Sequence, residues 1–269
     1  PIVATITGDF GYCVGDNGTV NASQTGGTWS SSNSSIFTVD NMGNISAVSA
    51  GTAQVTYTIP GGGVCPDAVS SQTITISAPN TPASITGNFN YCVGGSATLV
   101  ASISGGSWNS TNPSIFQIDN LGNVIAVGPG SAQVEYTIAG SGACGNSVST
   151  QTITVSVTPT AAILTGDFLY CLGGTNGTVN ASQTGGNWSS SDPSVFTVDN
   201  SGNITVVGAG TAQVTYTIAG GVCPDAITNQ TITVSTPLSP ITLTGGTALC
   251  VGGTDQLVAS IPNGTWSSN

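Results

Sequence analysis

TAQVTYTI, residues 52–59, is the stretch from which the fold can be read. Ala53, Val55, Tyr57 and Ile59 alternate with Gln54, Thr56 and Thr58. Successive side chains of an extended chain point to opposite faces, so this period of two marks a strand with one buried and one solvated face. QTITIS (72–77) repeats the pattern with Ile74 and Ile76. Upstream lie ATIT (4–7), TVNAS (19–23), TWSSS (28–32), IFTV (36–39) and NISAV (44–48), each short, rich in strand-forming residues and set off by turn residues. Residues 1–78 therefore hold seven candidate strands, and no segment carries a helical apolar stripe.

The whole pattern recurs. Cys13, Cys92, Cys171 and Cys250 are spaced 79 residues apart, as are Cys65, Cys144 and Cys223. Trp29, Trp108, Trp188 and Trp266 keep the same beat to within one residue. A period of this length signals one folding unit used several times. The expected repeats are 1–78, 79–158 and 159–237, with 238–269 as the start of a fourth, so the chain reads as a window on a longer protein. Repeats 1 and 3 share NGTVNASQTGG, FTVDN and VCPDA, whereas repeats 2 and 4 carry LVASI. The modules thus alternate with a super-period of 158 residues. Proline-containing joints at 77–84, 157–162 and 235–240 are expected to be short and semi-rigid.

Composition excludes several functions. The 269 residues include no Lys, Arg or His and 11 acids, for a formal charge of −11. Without cations the chain has no means of neutralising phosphates or anionic headgroups, which argues against nucleic-acid and lipid-surface partners. No apolar run reaches the ~18–20 residues of a membrane helix, and residue 1 opens no signal peptide. Catalysis lacks its usual groups, since no His or Lys stands by to activate a serine and no acid pair faces across a cleft.

Seven strands in about 80 residues suggest an antiparallel sandwich of the immunoglobulin type. The repeated motif W-S-S-S-[ND]-x-S-[IV]-F-x-V-D-x-x-G, followed by A-G-x-A-x-V-x-Y, resembles the bacterial immunoglobulin-like repeat, group 2, of intimin- and invasin-type adhesins. The variant with two cysteines per repeat is similar to repeats of very large secreted surface proteins of Bacteroidota. The resemblance implies an all-β chain of tandem immunoglobulin-like sandwiches in a linear rod. It also implies secretion, by a route such as type IX, and a tryptophan buried between the sheets.

The periodic cysteines read as disulfides of an extracellular protein, because zinc sites favour close Cys pairs or His. The simplest pairing lies within each repeat, 13–65, 92–144 and 171–223, with Cys250 finding a partner beyond residue 269. The rival pairing takes Cys144 of one module to Cys13 of its neighbour, because the two cysteines of a single sandwich would lie at opposite ends.

Asp40, Asp119 and Asp199 open the turns DNMGN, DNLGN and DNSGN. Asp and Asn accept backbone N–H groups in turns, which is the simpler reading. Calcium is the sharper alternative, although one carboxylate per turn is short of the six to eight oxygens calcium takes. No other cofactor is expected. The pairs Phe10/Tyr12, Phe89/Tyr91 and Phe168/Tyr170 give way to Thr247/Leu249 in repeat 4, which makes them candidates for joint or partner contact, with core packing as the plain alternative. Asn-x-Ser/Thr sequons are frequent, as so polar a composition would produce by chance.

The functional expectation is a structural stalk or filament on a bacterial surface, non-enzymatic, whose partners are neighbouring repeats and identical chains in a fibre. The alternatives are a multivalent array gripping a glycan or other surface, and a laterally assembling sheath.

Overall fold

A computed structural model describes residues 1–268. All regular structure among them is β-strand. The chain divides into two compact units, Pro1–Thr158 and Pro159 onward. The first contains two sandwiches. The second contains one sandwich and the residues that follow it.

In the first sandwich the strands are β1 (Ile6–Gly8), β2 (Gly11–Cys13), β3 (Asn17–Ala22), β4 (Thr28–Ser31), β5 (Phe37–Val39), β6 (Asn44–Ala47), β7 (Gly51–Ile59) and β8 (Ala68–Ser77). One sheet runs β1-β3-β6-β5 and the other β2-β8-β7-β4. There are eight strands rather than seven. The additional one is Gly11–Cys13, which follows β1 but joins the opposite sheet. It pairs in parallel with β8, Tyr12 opposite Ile76 and Cys13 opposite Ser77. All other pairings in the two sheets are antiparallel. The last strand also begins earlier than the alternation of Ile74 and Ile76 shows, at Ala68.

The second and third sandwiches repeat this plan. Asn90–Cys92 and Leu169–Cys171 again run parallel to the last strand of their sandwich. In the second sandwich the β3 equivalent is interrupted at Leu99, whose N–H donates to the carbonyl of Gly122.

Each sandwich has its own core. In the first, Val20, Phe37 and Ile45 from one sheet meet Val55 and Ile74 from the other, all fully buried. Phe116 and Phe196 take the place of Phe37 in the later copies. The alternation that identified β7 is the cause. Ala53, Val55 and Tyr57 point inward while Gln54 faces water. Burying an aliphatic or aromatic side chain of this kind is worth about 1.5–3 kcal/mol.

The tryptophans are half-buried rather than fully enclosed. Trp29 lies on β4 and stacks obliquely on Tyr57 across the strand pair, with ring centroids 4.6 Å apart. Trp108–Tyr136 and Trp188–Tyr216 repeat the contact at the same 4.6 Å. The Tyr57 hydroxyl accepts the N–H of Gly27, and a Cβ on Gly27 would lie 2.5 Å from the Tyr57 ring, so the second glycine of the Gly26-Gly27 pair is a packing requirement.

Leu243–Thr244 pairs with Val258–Ala259 as β1 pairs with β3. The apolar residues around this pair, Leu243, Leu249, Leu257 and Trp266, are largely exposed.

Candidate functional site: a stapled joint between sandwiches

Within the first unit one feature with covalent chemistry is the joint between its two sandwiches. Cys13 ends β2 at a tight turn. Its N–H donates to Asp16 Oδ2 at 2.9 Å, and the Asp16 N–H donates back to its carbonyl at 3.0 Å. The Val14 N–H donates to the Ser77 carbonyl, which holds the turn against the end of β8. On the other side, residues 139–146 form the hairpin loop between Gly130–Ile138 and Ser147–Ser156. Gly140 donates to Asn146 Oδ1 at 3.0 Å and Cys144 to the Ser141 carbonyl at 3.1 Å, so the loop is internally braced.

Cys13 and Cys144 are disulfide-bonded, with their Cα atoms 4.8 Å apart. The Cys144 sulfur lies 3.3 Å from the Ser77 carbonyl oxygen. Asn80 Nδ2 donates to the Ala139 carbonyl, and Ser141 Oγ lies 3.4 Å from the Ala78 carbonyl. The hairpin of the second sandwich is thus fastened to the last strand and linker of the first by a covalent bond and polar contacts.

This corrects the within-repeat pairing. Cys13 sits opposite Ser77, at the far end of β8, whereas Cys65 lies in the hairpin that precedes Ala68. Nine residues of strand separate those ends, about 30 Å at ~3.3 Å per residue. A disulfide needs Cα atoms about 4.4–6.8 Å apart. Consequently 13–65 does not form, 92–144 does not form because Cys144 is bonded to Cys13, and 171–223 does not form because Cys171 is an exposed free thiol. Cys65 and Cys250 are also free and exposed, whereas Cys92 and Cys223 are disulfide-bonded.

The aromatic pairs offered as joint contacts belong instead to the cores. Tyr12, Tyr91 and Tyr170 are buried in their own sandwiches, and Phe10, Phe89 and Phe168 pack beside them half-buried. Each tyrosine hydroxyl donates to a backbone carbonyl three residues earlier, of Asp9, Asn88 and Asp167. Burial pushes the three phenols above their ordinary pKa, and the nearby Asp9 and Asp167 charges add to the rise for Tyr12 and Tyr170. Phe-x-Tyr directly before Cys, alternating with period two, is the signal for the extra strand.

The three turn aspartates have their carboxylates engaged by the turn itself. Asp40 Oδ1 accepts the N–H groups of Met42 and Asn44, and Oδ2 accepts Asn44 Nδ2. Asp119 and Asp199 repeat this arrangement with Leu121/Asn123 and Ser201/Asn203. The Asn side-chain hydrogen bond, followed by the backbone bonds, holds each carboxyl below its usual range. Among the described residues no three His, Cys, Asp or Glu side chains gather as a metal cluster.

Two family models and one solved structure agree with this architecture. Residues 12–63 match the bacterial Ig-like domain (group 2) family, and residues 175–220 match the intimin immunoglobulin-like domain. Among solved structures, the N-terminal eight Ig domains of Down syndrome cell adhesion molecule align at a TM-score of 0.51. The alignment has 13% identity and covers 85% of this chain and 35% of that one. Domains 1–6 of the surface layer protein SbsC align at a TM-score of 0.30 with 16% identity, covering 97% of this chain. The chain spans about half, 49%, of that structure. Mouse cadherin-23 EC22–24 aligns at a TM-score of 0.30 with 12% identity over 87% of this chain and 99% of that one. No curated protein is detectably similar to the chain. The fold is that of tandem immunoglobulin-like β-sandwiches.

Proposed function

We propose that the chain is a load-bearing segment of an extracellular stalk or filament on a bacterial surface, without enzymatic activity of its own. The observation that carries this reading is the Cys13–Cys144 bond, which spans 131 residues and joins one sandwich to the next. Disulfides persist in oxidising, extracellular settings. The matches to bacterial Ig-like and intimin Ig-like domains support the same setting.

The bond has a mechanical consequence. Tension that reaches Cys13 can pass to Cys144 through the sulfur atoms instead of along the main chain between them. A folded chain of about 80 residues buries a modest core and is marginally stable. A covalent bypass suits it to tension. The rival reading, a glycan-gripping array, draws on polar outward positions such as Gln54, Thr56 and Thr58, but these face outward in any solvated strand.

The test is single-molecule stretching of the intact chain, held at its two ends, before and after reduction. The expected result is that the oxidised chain, cross-linked at Cys13–Cys144, stops short of the contour length that the reduced chain reaches. Equal extension in both conditions overturns the stapled-stalk reading.

A further inference from the structure

The two sulfurs of the Cys13–Cys144 bond do not share the same surroundings. Cys144 is 7% exposed, and its sulfur lies 3.3 Å from the Ser77 carbonyl oxygen. Its loop is fastened to the linker after β8 through Ala139 and Ser141. Cys13, at the end of β2, is only half-buried. A thiol that cleaves a disulfide must reach one of its two sulfurs, so access decides which sulfur is attacked.

The turn after Cys13 carries a second difference. Four cysteines open the same kind of turn: CVGD (13–16), CVGG (92–95), CLGG (171–174) and CVGG (250–253). In each, the N–H of the fourth residue donates to the cysteine carbonyl at 2.8–3.0 Å. Gly95, Gly174 and Gly253 make that bond without a side chain, so the turn does not require one. Among the four, Asp16 alone brings a carboxylate, whose Oδ2 accepts the Cys13 N–H at 2.9 Å. The residue is exposed, and the chain holds no Lys, Arg or His side chain to neutralise it.

We propose that the staple opens by attack on Cys13, with Cys144 as the leaving group, and that Asp16 selects the reductant, holding back anionic thiols relative to cationic ones. The step is a thiol–disulfide exchange. The thiolate of the reductant attacks Cys13 Sγ, a mixed disulfide forms there, and the protein S–S bond breaks with its electron pair on Cys144. Cys144 takes a proton from water, and its S–H has the Ser77 carbonyl as an acceptor. A second reductant thiol then frees Cys13 and departs in the oxidised reductant, so two electrons pass from two thiols to the protein disulfide.

A reductant that carries a carboxylate brings it against Asp16 at the point of attack, whereas an ammonium group is drawn there. A charge contact a few ångströms long in water changes a rate by about threefold to fivefold in either direction. Cys92 is an internal reference. It is disulfide-bonded and half-buried like Cys13, and its turn has Gly95 where Asp16 stands. The proposal rests on the stapled-joint reading but is read out separately from it.

The experiment treats the purified intact chain, without oxygen and at low salt, with cysteamine or 3-mercaptopropionate at equal thiolate concentration. Free thiols are then blocked with N-ethylmaleimide and the peptides mapped by mass spectrometry. Early in the reaction the reductant should be found on Cys13 and the maleimide on Cys144. The ratio of the cysteamine rate to the mercaptopropionate rate should be about tenfold higher for the Cys13 bond than for the Cys92 bond. In about 1 M salt that excess should vanish. Asp16→Asn keeps the acceptor oxygen, and Asp16→Gly restores the turn of the other cysteines; each should bring the Cys13 ratio down to that of Cys92. Reductant found on Cys144, equal ratios at the two bonds, or an excess that survives both substitutions overturns the proposal. The Cys13–Cys144 peptide in the map of the untreated chain reports independently on the joint: its absence indicts the stapled-joint reading.

Discussion

Asp40 shows how one residue does several jobs at once. It closes the β5–β6 turn by accepting two backbone N–H groups and one side-chain amide. Gly43, three residues on, has φ of +84° and sits where a Cβ would lie 2.2 Å from the Val20 carbonyl oxygen. The Asp-x-x-Gly spacing therefore encodes a turn and also a close approach of the turn to β3. Asp119 and Asp199 do the same in the later copies, and Asp192 accepts from Ser194 in another turn that holds its carboxyl low. A carboxyl whose folded pKa lies below its ordinary 3.8 contributes stability that is present above that value and is lost as pH falls through the depressed one. The thermal midpoint should therefore fall between about pH 5 and about pH 2. A combined D40N/D119N/D199N variant, which keeps the acceptor oxygen but cannot ionise, should show a shallower fall in a calorimetric pH series. The turn was legible because Asp, Asn and Gly have local reasons to be there. The burial of Tyr12 was not, because an aromatic beside a joint and an aromatic beneath a sheet look the same in sequence.

Among the elements, β2 has the greatest consequence for its size. Three residues long, it leaves the sheet of β1 and pairs in parallel with β8. The chain enters a sandwich along β1, crosses to this strand, and leaves along the strand parallel to it. Once β1 has given way, a pull on the ends shears the hydrogen bonds of this parallel pair together rather than opening them one by one. In the third sandwich this ladder includes Thr233 N–H to the Phe168 carbonyl and Leu172 N–H to the Ser235 carbonyl, both at 2.9 Å. Leu172→Pro removes the second donor, worth about 1 kcal/mol in net stability. It should lower the force at which the third sandwich ruptures. Leu172→Ala keeps the N–H and trims only the side chain, so it should lower the force less. Stretching the two variants side by side decides whether the backbone bond or the side-chain contact resists the load. The long strands β7 and β8 were readable from alternation. A three-residue strand is too short for a period to assert itself, and its partner lies some sixty residues away.

At the scale of the molecule, three cores are separate in sequence, each drawn from its own repeat. The Cys13–Cys144 bond joins two of them without belonging to either core. In the chain-entropy account a loop of this length is worth on the order of 5 kcal/mol when both sandwiches unfold together. While they stay folded the bond restrains the joint instead. Cys144→Ser should therefore leave the folded sandwiches intact by circular dichroism and raise hydrogen exchange chiefly in residues 78–84 and 139–146, measured by mass spectrometry. Wholesale loss of protection in the β7 equivalent, Gly130–Ile138, would show that the second sandwich depends on the staple for its fold.

The sequence by itself determined the repeat, the all-β class, the alternating faces of the long strands and the residues at the turns. These follow from local rules: side chains alternate along a strand, and glycine or an Asx side chain marks a tight reversal. It also determined that the cysteines come in two periodic series. Only the tertiary structure decided which series member meets which. That choice turns on the end of the sandwich at which each sulfur emerges, and so on a crossing from one sheet to the other between Gly8 and Gly11. Spacing along the chain cannot distinguish a partner 52 residues away at the wrong end of a sandwich from one 131 residues away at the right end. Geometry does, because a disulfide reaches only a few ångströms and a strand spans about thirty.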